Sequence, residues 1–122
     1  MSLEHNNAKI TGTKLGIEDH GIMTFMIYLE WDGGGIGFGG YALDQYDEAL
    51  KERVGFSASM DCIKEIMQTV GVENWEDLEG KYVVVESGGW GSKATGIRNI
   101  LNEKKWFRPE QWFEERLSNA KS

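Results

Sequence analysis

The chain has 122 residues and a formal charge of −7 at pH 7, with 40% hydrophobic and 27% charged residues, which fits one globular domain with one core. That balance excludes general disorder, and no apolar run reaches the roughly 18 residues a membrane span needs. A lone cysteine, Cys62, excludes an intramolecular disulfide and a multi-cysteine zinc site, and the acid excess disfavours bulk nucleic-acid binding, whose affinity comes from Lys and Arg.

Taken in chain order, residues 1–7 read as a flexible terminus and residues 8–17 (AKITGTKLGI) as a first strand. Ile10 lies on one parity of that strand and Leu15 and Ile17 on the other, so a bulge near Gly12 is expected to restore one buried face. A turn at 18–21 leads into the clearest strand, 22–31, which puts Phe25, Ile27, Leu29 and Trp31 on one face and Thr24, Met26, Tyr28 and Glu30 on the other. Asp32-Gly33-Gly34 turns the chain into a third, glycine-spaced strand over 35–43. Residues 44–53 read as a polar loop or one short helix. The spacing of Met60, Ile63, Ile66, Met67 and Val70 predicts a helix capped by Ser57 or Ser59 and stopped at Gly71. One helical turn over 74–80, a β-branched strand over 81–87, a further strand over 94–101 and a helix opened by Pro109 complete the order. The expectation is one domain of α+β class: a small, strongly curved antiparallel sheet in the OB-like barrel order β-β-β-α-β-β over 8–102, and a C-terminal helix over 109–119. An open antiparallel sheet with helices on one face is the alternative.

Residues 35–40 (GIGFGG) formally fit a G-x-G-x-x-G string, but the text continues as strand rather than opening a helix, so a pyrophosphate site is not implied. The missing side chains instead suggest a groove beside Phe38 and Tyr41 that admits a flat ligand. Between Leu15 and Leu50 there are seven acidic residues and no Lys or Arg, and Asp32, Asp44, Asp47 and Glu48 are expected to form an acidic face suited to a basic protein partner. From Lys93 to Arg108 the balance reverses, with five basic residues against one acidic, and Trp90, Trp106 and Phe107 lie in or beside this segment. Interleaved rings and cations are the means by which bases are stacked and phosphates held, which nominates Trp90, Arg98 and Lys105 as ligand contacts. Neither His5 nor His20 has a partner at catalytic or metal-ligand spacing, and Cys62 falls in an apolar-periodic helix as a small hydrophobe. No catalytic residue, metal or cofactor is expected.

Three strings, Gly39 to Asp44 (GGYALD), Gly71 to Val83 (GVENWEDLEGKYV) and Lys105 to Pro109 (KWFRP), resemble a group of small phage and prophage proteins of uncharacterised function. The resemblance spans Ala8 to Phe113. It implies a gene carried by a phage or prophage and a place in the cytoplasm of a bacterial host, and it supplies no activity. Met1 to Lys9 also lacks the basic and apolar stretches of a secretory leader. The reading that follows is a non-enzymatic binding protein that engages a host or phage protein through its acidic face, without a membrane. A nucleotide-type small molecule held in the glycine and aromatic groove is the second reading, and single-stranded DNA on an OB-like barrel the third. A homodimer is the commonest assembly for such a chain.

Overall fold

A computed structural model describes residues 3–18, 21–55, 57–88 and 92–120, the last four as backbone alone. Strands β1 (Glu4–Ile17), β2 (Met23–Trp31), β3 (Gly34–Ala42), β6 (Tyr82–Ser87), β7 (Ala94–Asn99) and β8 (Trp106–Phe107) form one antiparallel sheet in the order β3-β2-β1-β6-β7-β8. Strands β4 (Asp44–Asp47) and β5 (Glu52–Gly55) pair as a separate hairpin. Helix α1 (Ser57–Val70), a 3-10 turn (Trp75–Leu78) and helix α2 (Pro109–Ala120) complete the chain. No described helix is long and apolar enough to cross a membrane.

Alternation in the sequence decides the two faces of the sheet. Ala8 and Ile10 of β1, Phe25, Ile27 and Leu29 of β2, Phe38 of β3, Val83 and Val85 of β6, Ile97 of β7 and Phe107 of β8 are buried together with Cys62 and Ile66 of α1. The register of β1 against β2 shifts between Ile10 and Gly12, so the bulge expected near Gly12 is there, and Ile10 stays on the core side opposite Leu29. Gly71, at φ 93°, closes α1 as its left-handed cap, its N–H reaching Met67 O at 2.8 Å. Asn99 secures the same helix end from the sheet, donating through Nδ2 to Thr69 O at 3.0 Å while its Oδ1 accepts the N–H groups of Leu101 and Asn102.

Three expectations are corrected. Residues 44–53 are the β4–β5 hairpin, fastened by Arg53, which donates to Asp44 Oδ1 through Nε at 3.0 Å and through Nη2 at 2.8 Å. Residues 4–7 are strand rather than loose terminus, because Glu4 to Ala8 pairs with Ser87 to Val83. The sheet curls but does not close into a barrel. β3 and β7 come within 8 Å, Cα to Cα, without a shared hydrogen-bonded ladder, and β8 occupies the edge of β7. Side chains bridge the gap instead. Phe25, Phe38, Phe107, Trp112, Phe113 and Tyr41 contact one another in a circuit, with ring centroids 5.0 to 6.3 Å apart, the range in which aromatic pairs attract.

Candidate functional site

Both helices lie against the core side of the sheet, so the opposite face is free of them. On that face the register aligns His5, Glu86 and Gly96 in one row across β1, β6 and β7. The next row holds Asn7, Val84, Arg98 and Trp106. Glu86 follows three valines in β6, and its side chain is only 3% exposed. A carboxylate that buried needs partners, and it has four bonds. Arg108 grips it in a fork, Nε to Oε1 at 3.0 Å and Nη2 to Oε2 at 2.8 Å. Thr95 donates to Oε1 at 2.8 Å and His5 Nε2 donates to Oε2 at 3.0 Å. Arg108 foremost, aided by Thr95 and His5, holds the Glu86 carboxyl down at about 2, so it stays ionised at neutral pH.

Two local features of β7 make this grip possible. The register against β6 shifts between Glu86 and Ser87, leaving Thr95 as the extra residue that turns its hydroxyl toward Glu86. Gly96 follows; a Cβ there would stand 2.8 Å from Arg108 Cγ and 3.0 Å from Phe107 O, so the bare backbone is the channel through which the arginine passes. Arg108 then lies over Trp106, its guanidinium carbon 4.2 Å from the ring centroid. Arg98 flanks the same ring at 5.9 Å, and His5 tilts against it at 5.0 Å. Arg108 spends its charge on Glu86. Arg98 bonds only to a carbonyl, Asn99 O at 3.2 Å, and has no ion pair among the described residues. Beside this stack a cleft of about 220 Å³ opens between β8 and α2, lined by Trp106, Phe107, Arg108, Gln111, Trp112 and Glu115.

The residues nominated from sequence are separated. Phe38 is fully buried and lines no groove, because it faces Phe25 and Phe107 on the core side of β3. Tyr41 is also turned inward, between Phe25 and Phe113, and burial pushes its hydroxyl pKa up. The turn comes from Gly39 and Gly40, whose φ of 130° and 84° accompanies a register shift between Thr24 and Met26. Lys105 is committed to Glu65 of α1 at 2.8 Å. Arg98 alone of that group joins the Trp106 stack. Trp90 and His20 lie outside the described residues.

The four acids do not make one surface either. Asp32 sits in the turn that joins β2 to β3, whereas Asp44, Asp47 and Glu48 lie beyond the far end of those nine-residue strands. Asp44 is held by Arg53, which keeps its carboxyl below the usual range, and Asp47 accepts the N–H groups of Ala49 and Leu50. Glu48 is exposed. Among the described residues no group of three or more His, Cys, Asp or Glu side chains is set to hold a metal ion. Burial, with Glu65 nearby, pushes the Cys62 thiol up to about 12, which leaves it protonated and unreactive at neutral pH.

Sequence reading missed Glu86, Thr95, Arg108 and His5. A charged residue closing a run of three valines was the available signal, but its partners are fixed by register, not by spacing along the chain. Comparison with protein-family models, with curated proteins and with solved structures finds no match to this chain.

Proposed function

We propose that the protein is a non-enzymatic binding module that works through the helix-free face of its sheet, and that it takes a nucleotide-type ligand, an anion carrying a flat ring. One observation carries this reading: among the described residues Arg98 stands beside Trp106 without a carboxylate partner, on a platform that the Glu86–Arg108 pair ties together. A half-buried indole supplies a stacking surface on the part that Arg108 leaves open, and the guanidinium of Arg98 supplies the charge for a phosphate. A platform ordered before the ligand arrives also spares the cost of arranging it on binding. In the phage setting implied by the resemblance, such a module would sequester or present its ligand in the host cytoplasm.

The test is a titration of the protein with nucleoside monophosphates, followed by tryptophan fluorescence and by thermal midpoint. Saturable quenching, with affinity reduced about tenfold or more in Arg98→Ala, is the expected result. No saturable signal with any base up to millimolar concentration would overturn the reading. A basic protein partner remains the second reading, favoured by a cleft of about 450 Å³ bordered by Glu73, Glu76, Asp77 and Glu79 around the 3-10 turn. Substitution of those four acids distinguishes the two, since it would leave nucleotide binding untouched.

A further inference from the structure

The helix-free face carries more than the Trp106 stack. Two of the large side chains left exposed elsewhere on the protein, Tyr82 at 55% and Tyr28 at 46%, belong to this face. Tyr82 of β6 pairs with Lys9 of β1, one row of outward residues further along from Val84 and Arg98. Tyr28 of β2 pairs with Gly12 of β1, one outward row beyond Lys9 and Glu30. Counted across the sheet, Trp106, Tyr82 and Tyr28 stand on β8, β6 and β2, each two strands from the next, and each one outward row along. The three rings therefore fall on one diagonal. With strands ~4.8 Å apart and ~3.3 Å per residue, each step is about 12 Å.

The intervening strands supply cations beside the rings. Arg98 of β7 adjoins Trp106, and Lys9 of β1 adjoins Tyr82; neither forms an ion pair among the described residues. On both sides of Tyr28 the neighbours, Gly12 and Gly37, have no side chain; Glu79 Oε1 and Met26 Sδ fill the space there, 3.9 Å and 3.2 Å from where a Cβ would stand. The face bears Lys9, Lys14, Arg98 and Arg108 against Glu30, Glu86 and Glu79, the last beside Gly12. That is one more cation than anion in a chain of −7, with Glu115 of α2 bordering the cleft beside Trp106 and many of the other acids on α2, the β4–β5 hairpin and the 3-10 turn.

Resting on the nucleotide reading above, we infer that this diagonal is a track for single-stranded nucleic acid: every second base stacks on Trp106, Tyr82 and Tyr28 in turn while Arg98 and Lys9 take phosphates between them. Rings on a sheet with interleaved cations bind single strands without reading sequence, because every base has a face to stack. A duplex cannot use the track, since its bases already stack on each other. With few phosphates neutralised, binding is weak and fades with salt at a slope of about −0.7 for each contact.

The experiment is fluorescence anisotropy with end-labelled oligo-dT of increasing length, and with a duplex of the longest length, at low and physiological salt. Affinity should climb with length and level off at the short end of the roughly 4–16 nucleotides used by single small-barrel modules, and the duplex should bind more weakly. Tyr28→Ala and Tyr82→Ala should each weaken the long oligomer about tenfold and leave mononucleotide binding unchanged, while Tyr28→Phe and Tyr82→Phe restore it. Affinity independent of length, equal binding of duplex, or unaltered affinity in both alanine variants would overturn the track and leave the Trp106 site standing. Failure of every oligomer and every mononucleotide would overturn both readings together.

Discussion

Trp106 and Phe107 are neighbours in a two-residue strand, yet they belong to different regimes. Phe107 faces inward, fully enclosed, edge-on to Phe38 and Trp112. Trp106 faces outward and contacts Arg98, Arg108 and His5. The inner face of the sheet surrounds its aromatics with carbon, and the outer face surrounds Trp106 with cations. The lesson is that ring count and glycine count say little about a surface until parity assigns each residue to a side.

The sharpest way to break the contrast is to truncate each neighbour in turn. Phe107→Ala should cost about 3–5 kcal/mol, because it leaves a cavity in the aromatic circuit, and thermal melting should show a midpoint lower by about 10 °C or more. Trp106→Ala removes a half-buried ring and its cation contacts, and should cost about 1–2 kcal/mol. Equal losses would mean that the outer ring is structural as well.

Glu86 tests the polar counterpart of that core. Glu86→Gln replaces a buried carboxylate whose bonds to Arg108 are charge-assisted, and should cost about 2 kcal/mol at pH 7. The pH dependence has a definite sign. The folded carboxyl sits at about 2 against an ordinary 4.5, so its stabilisation is complete above pH 4.5 and is lost as pH falls toward 2. Midpoints measured from pH 7 to pH 2 should fall less steeply in the Gln variant. The smallest effect belongs to the open face: Tyr82→Ser should stay within about 0.5 kcal/mol of the parent by urea unfolding.

Local patterns were legible in the chain. The alternation of 22–31 gave both faces of β2, the parity break gave the bulge near Gly12, and the apolar spacing and Gly71 gave α1 and its end. What hid was whatever depends on strands far apart in sequence. His5 reads as a loose end until Glu86 arrives beside it 81 residues later. Tyr41 reads as a groove residue because Gly39 and Gly40 reverse its side, and a bulge of that kind leaves glycines but no parity rule. The acids of 32–48 are close in the chain and distant in space for the same reason, since a nine-residue strand carries Asp32 and Asp44 to opposite ends.

The circuit of six rings between the two edges of the sheet has a mechanical consequence. Elsewhere the strands are sewn together by backbone hydrogen bonds, which are short-ranged and directional, but this seam is fastened by dispersion between side chains. Such a fastening tolerates sliding. Among the described strands β1 joins the two halves of the sheet, and its bonding to both sides overlaps only at Lys9 and Ile10, next to the bulge. The sheet therefore has the construction of a book, with β1 as its spine and the aromatic seam as its clasp, and amides along the β3 margin should exchange with solvent long before those of β1.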